Sequence, residues 1–287
     1  MQHPFLSSIL LSGIILVMSA CGQRVPPPAA TADKAMENLM AGIEKNDPTV
    51  IWHFLPESYQ KEANELLHEF ANRMDEDIWN GATGIFQKVE QILRTKKRLI
   101  LQSDELANMP DLEENYDHLV RILGSIAKSD LMDLGKLQSA DIGRLISNTG
   151  TPLMRELAKI EIDDGNMMLP NPNEFREFLS SMSFELVSED GDTAVVAITE
   201  DGYTDEVNFV RVDGKWIPEE LAEEWEFMYR EIRDGIREIG RIKASDKAQI
   251  MVGITMINSV LDQLLAAKTA EEMETILQGA MGMMMGF

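Results

Sequence analysis

Apolar residues recur at helical spacing along most of this chain, and the pattern changes character only once. Met36, Leu39, Met40 and Ile43 share a face between Asp33 and Glu44, before Asn46-Asp47-Pro48 ends the run. The dense segment Thr49 to Pro56 (TVIWHFLP) reads as a short turn of helix plugged into the core. Tyr59, Ala63, Leu66, Leu67, Phe70 and Met74 mark a longer helix, and Ile78, Trp79, Phe86, Val89, Ile92 and Leu93 mark another that continues toward Leu101. Leu119, Ile122, Leu123 and Ile126 place a further helix within Asp111 to Ala127. Shorter helices are predicted over Ser139 to Ser147, with Ser139 as a candidate cap, and over Pro152 to Ile160, with Pro152 in the first turn. Asp163 to Asn173 reads as loop and Glu174 to Ser181 as a last short helix.

From Ser183 the helical spacing stops. Ser183 to Ser188, Thr193 to Glu200 and Tyr203 to Val212 are rich in Val, Ile, Phe and Thr, and Glu-Asp-Gly-Asp, Asp-Gly and Asp-Gly separate them from one another and from Lys215-Trp216-Ile217. Asp-Gly tolerates the positive φ angles of a tight hairpin, so the stretch predicts an antiparallel meander over about 183–217. Phe184, Leu186, Val196, Ile198 and Phe209 form its expected inner face. After Pro218, Leu221, Trp225, Met228, Ile232, Gly235, Ile239 and Ile242 alternate spacings of four and three, a heptad seam. Ser245 to Lys268 carries a broader apolar face, and the two segments are expected to form a helical hairpin. The fold class is therefore α+β, mainly α, with one small antiparallel meander packed against helices and a C-terminal helical hairpin. The seam from Leu221 to Ile242 either packs within the monomer or serves a protein partner or homodimer.

Composition narrows the function. At 287 residues and 44% apolar, the chain is long enough and apolar enough to bury a core. A formal charge of -23 disfavours nucleic acid and anionic lipid head groups as partners. The basic run Arg94 to Arg98 is the one break in that acidic surface, and is expected to be a solvated helix face. No cofactor and no metal site is expected. Glu65 and His68 sit one turn apart, but a bundle-type diiron site needs a second such pair and two more glutamates. The methionines of Gly279 to Phe287 lack an accompanying His or Cys, which leaves a helix end docking on the core as the plainer reading than Cu(I).

The N-terminus carries the most specific motif. Phe5 to Met18 is almost wholly apolar, too short for a comfortable membrane span, and Ser19-Ala20-Cys21-Gly22 follows. This resembles the lipobox of bacterial lipoproteins, with Met18 where leucine is usual. The resemblance implies a signal peptide over 1–20, acylation of Cys21, and a lipid-anchored address in the cell envelope. Gly22 after the cysteine is not a retention aspartate, which favours the outer membrane or periplasmic side. Residues 21–32, with Pro26-Pro27-Pro28, read as the lipidated cysteine and a semi-rigid tether, and 33–287 as one domain.

The N-terminal helix ending in Asn-Asp-Pro, the apolar segment Trp52 to Leu55, and a meander finishing in Asp213-Gly214-Lys215-Trp216 together resemble the NTF2-like, cystatin-related domains of bacterial lipoproteins. The resemblance implies a curved sheet wrapped around helices, often with a cavity. No Ser, His and Asp set or phosphate loop appears, and no residue matches a catalytic position of that family. The expectation is a noncatalytic envelope lipoprotein binding a protein partner or an apolar ligand. The alternatives are an NTF2-like enzyme with a cavity active site and a self-assembling structural component.

Overall fold

The computed structural model describes residues 27–102, 110–160 and 178–285. Before the sheet, the described residues include α1 (Ala32–Glu44), α2 (Thr49–Phe54), α3 (Glu57–Arg73), α4 (Glu76–Ile100), α5 (Pro110–Ala127), a 3-10 turn (Asp130–Met132), α6 (Leu134–Leu137), α7 (Ile142–Leu157) and a helical turn over 178–181. The sheet comprises β1 (Ser183–Asp190), β2 (Thr193–Glu200), β3 (Tyr203–Val212) and β4 (Lys215–Pro218), and α8 (Glu219–Ile239), α9 (Ala244–Ala266) and α10 (Ala270–Met285) follow it.

The strands pair in sequence order, each antiparallel to the next. Two of the three turns have both central residues at positive φ, Asp201 (46°) with Gly202 (82°) and Asp213 (50°) with Gly214 (76°), while Gly191 (61°) opens the first. These angles match the right-handed strand twist, which is why Asp-Gly marks the positions. The register places Phe184 opposite Ile198, Leu186 opposite Val196, and Ala194 opposite Phe209. Val196, Ile198 and Phe209 are buried on the face expected to be internal, with Phe184 and Leu186 packed beside them. Helix α1 lays Met36, Leu39 and Met40 across that face, so side chains fill the space between sheet and helix. Complete burial of Phe209 alone contributes about 1.5–3 kcal/mol.

Packing reaches back into the segment expected to be a tether. Ala32 is fully buried, and the Trp216 indole N–H donates to the Ala30 carbonyl at 3.3 Å. At the β4 end, Ile217 and Leu221 join Trp52 and Leu55 of the α2 segment and Ile146 of α7 in a second cluster. A third cluster gathers Ile92, Leu99 and Ile100 of α4, Tyr116 of α5, and Leu261 and Leu264 of α9. Helices α8 and α9 follow the sheet as expected, each with its main contact elsewhere: α8 lies on α3 and α9 on α4.

Local signals explain several helix starts. Asp75 caps α4, accepting from the Asp77 and Ile78 amides at 3.0 and 3.2 Å. Thr269 and Glu272 cap α10 reciprocally: Thr269 Oγ1 accepts from the Glu272 amide, and Glu272 Oε2 accepts from the Lys268 amide. The two short helices expected around Ser139 and Pro152 are instead the single helix α7. Its cap is Asp141, which accepts from the Arg144 amide at 2.8 Å, and Pro152 lies inside it. Burial of Leu145, Ile146 and Thr149 outweighs the one backbone hydrogen bond that an internal proline removes. The loop expected over Asp163 to Asn173 lies outside the described residues, as does the start of the helix expected from Glu174.

Candidate functional site

Beside Pro27 and Pro28, an open cleft of about 800 Å³ lies among α1, α2, α7 and β4. Two close contacts shape its walls. Gly42 of α1 approaches Val50 of α2 so tightly that a Cβ there would fall 2.1 Å from Val50 Cγ1. Between the two helices the chain reverses through Asn46, at φ 55°, and Asp47, whose carboxylate accepts from the Thr49 amide and hydroxyl at 3.0 and 2.6 Å. The apolar side of the cleft includes Leu39, Val50, Phe54 and Trp216.

The polar side is cationic. Lys45, Arg155 and Lys215 line the cleft against a single carboxylate, Asp47, on a chain whose formal charge is -23. Lys215 Nζ donates to the carbonyls of His53 and Leu55 at 2.8 and 2.7 Å, satisfying the end of α2, where the helix dipole favours a cation. Burial pushes the Lys215 pKa below that of a free lysine. Burial, and then the neighbouring Lys215 charge, push the His53 imidazole pKa below that of a free histidine. Lys45 and Arg155 are exposed and make no ion pair or hydrogen bond through their side chains among the described residues. Sequence spacing did not point to this group, because its members come from four separate segments.

A second surface lies on α9. That helix is long and apolar enough over 18 residues to cross a membrane by length and composition, yet 11% of that window is buried. No charged residue stands between Ala248 and Leu261. Its inner side packs Ile254 against Gly81 of α4, while Val252 (59%), Ile257 (46%), Met256 and Ile250 are exposed. On α8, Phe227 is 57% exposed among the exposed carboxylates Glu223, Glu224, Glu226 and Glu231.

The other sequence candidates resolve into structural contacts or fall outside the described residues. Cys21 and the apolar leader lie outside them, as do the side chains of Met281 and Met283 to Met285. His68 Nε2 lies 2.7 Å from the Ala140 carbonyl, and Glu65 meets the Tyr229 hydroxyl at 3.5 Å. No group of three or more His, Cys, Asp or Glu side chains suited to a metal ion occurs among the described residues. In the basic run, Arg94 pairs with Glu90, Lys97 pairs with Asp117, and Lys96 donates to the Ala267 carbonyl at the end of α9. Of the seam, Leu221 is buried, Trp225 stacks on Tyr59, and Ile232 is 52% exposed. Comparison with known proteins adds nothing to this geometry: no family model, no curated protein and no solved structure matches the chain.

Proposed function

We propose that this chain is a noncatalytic lipid-anchored protein of the bacterial cell envelope that docks a protein partner on the bare face of α9. The observation that carries the docking is the exposure of Ile250, Val252, Met256 and Ile257 on a stretch of 14 residues without a charge. A helix face without charge that exposes several large apolar side chains is suited to an interface, and exposed apolar surface marks interaction sites. Charge selects the occupant. Two copies at -23 each repel, and anionic head groups are repelled likewise, whereas a partner with an apolar stripe and a basic rim is attracted. The anchor is supported by the apolar leader ending at Cys21, and kinship with NTF2-like lipoprotein domains by α1 lying across one face of a meander.

Two experiments separate the halves of this reading. Cys21→Ser is expected to move the protein out of the membrane fraction, and a variant that still sediments with membranes overturns the anchor. A photocrosslinker at Met256 of the full chain in intact cells is expected to give one heterotypic adduct, lost on Val252→Glu and not produced from a crosslinker at the exposed Tyr203. An adduct of twice the chain's mass, or no protein adduct, overturns the docking face.

A further inference from the structure

We propose that the cleft between α1, α2, α7 and β4 binds a single-chain amphiphile with an anionic head, such as a fatty acid. The site is separate from the α9 face and does not depend on it. Three cations around one cleft run against the charge of the whole molecule. Lys215 has its place in the fold, since two carbonyls hold its ammonium. Lys45 and Arg155 have no such partner among the described residues, and they border a wall that includes the partly exposed Val50 and Phe54. Cations beside apolar surface match a ligand that carries a charge at one end and hydrocarbon behind it. A guanidinium offers paired donors in the geometry of a carboxylate, and an ammonium adds a second point charge.

The surrounding charge narrows the ligand further. A polyanion would extend beyond the cleft into the field of the acidic surface. A single head group stays within the roughly 8 Å over which the local cations act before salt screens them. The volume of about 800 Å³ lies within the range of small-molecule sites. Pro27 and Pro28 line the cleft, six and seven residues after Cys21, so if the anchor holds, this side of the cleft sits within about 19–22 Å of the lipid at a rise of roughly 3.1 Å per residue.

The test uses the full chain in zwitterionic nanodiscs and a diazirine-bearing dodecanoate, with the diazirine-bearing dodecanol of equal length as the uncharged control. Mass spectrometry is expected to place the dodecanoate label on the peptides carrying Val50 and Phe54, with about tenfold less label from the alcohol, the loss that about 1.4 kcal/mol produces. Lys45→Ala with Arg155→Ala should cut the dodecanoate label by at least about tenfold without moving the thermal midpoint, because both side chains are exposed. Unlabelled decanoate should compete and inorganic phosphate should not. Equal labelling by the alcohol, labelling that ignores the double variant, label placed elsewhere, or equal competition by phosphate each overturns the proposal. None of these readouts involves α9 or Cys21, so they leave the docking reading untouched.

Discussion

The Tyr59 ring and the Trp225 indole lie face to face, with centroids 4.1 Å apart and planes 2° from parallel, and this stack joins α3 to α8. Beside it the Trp225 N–H donates to Glu62 Oε2 at 2.5 Å, and Glu69 of α3 accepts from Arg233 of α8 at 2.9 Å. Trp225→Ala removes the ring and its bond together, and is expected to cost about 3–4 kcal/mol. Trp225→Phe keeps a ring but loses the bond to a charged acceptor, at about 1.5–2 kcal/mol. Urea denaturation of the two variants checks the order; equal midpoints would mean the indole N–H contributes most of the effect.

How much of this was legible beforehand depends on how local the cause is. The meander was readable because each Asp-Gly answers a backbone requirement within two residues, and the observed φ angles at 201–202 and 213–214 are the ones that requirement names. The inner face of the sheet followed from the same register. What a helix covers is a different matter. Trp225 finds Tyr59, and Lys215 finds the His53 carbonyl 162 residues away, through packing that no spacing encodes. Pro152 misled for the same reason: its local preference is for a helix start, and the burial of Leu145 and Ile146 decided otherwise. The cleft was invisible because Lys45, His53, Arg155 and Lys215 meet only once α1, α2, α7 and β4 are assembled.

Glu156 predicts an acid limb. Lys159 above all, then Arg121 and His118, meet its carboxylate at 2.7, 2.9 and 2.7 Å and hold its pKa down to about 2, against partial burial that opposes them. An ordinary glutamate titrates at 4.5, so the folded state takes up this proton later than the unfolded chain. The stabilisation is therefore complete above about pH 5 and is lost as pH falls from 4.5 through 2. Lys159 and Arg121 are half exposed, and solvent screening reduces the contribution to about 1–2 kcal/mol. Glu156→Gln should lower stability by that amount at pH 7 and match the parent near pH 2. A constant difference across that range would show that packing, not charge, is responsible.

Two glycines in helices should respond to alanine with opposite signs. At Gly42 the new methyl meets Val50 Cγ1, Cγ2 and Cβ at 2.1, 2.7 and 2.8 Å, so Gly42→Ala is expected to cost about 1–3 kcal/mol through forced separation of α1 and α2. Val50→Ala in the same chain should recover part of that loss, a coupling that only a direct contact produces. Gly235, exposed within α8, has nothing within 4 Å of the added methyl, and Gly235→Ala should stabilise by about 0.5–1 kcal/mol. Thermal unfolding of the three chains measures both signs, and a stabilised Gly42→Ala would contradict the close approach of the two helices at the cleft.

Tyr116 sets an alkaline limit on the cluster formed by α4, α5 and α9. Its hydroxyl donates to the Leu93 carbonyl at 2.7 Å, and Lys97 lies over its ring at 5.4 Å. Burial, reinforced by the Asp117 charge, pushes the phenol up to about 12 from an ordinary 10.0. The unfolded chain ionises first, so the stabilisation is present below pH 10 and is lost as pH rises through 12. Tyr116→Phe preserves the ring under Lys97 and removes the titrating proton. It should cost about 1 kcal/mol at pH 7 for the missing hydrogen bond and show a shallower decline between pH 10 and 12. Chemical denaturation at pH 7, 10 and 11 separates the two effects: an unchanged alkaline slope in the variant would show that the Tyr116 phenol is not the cause of the decline.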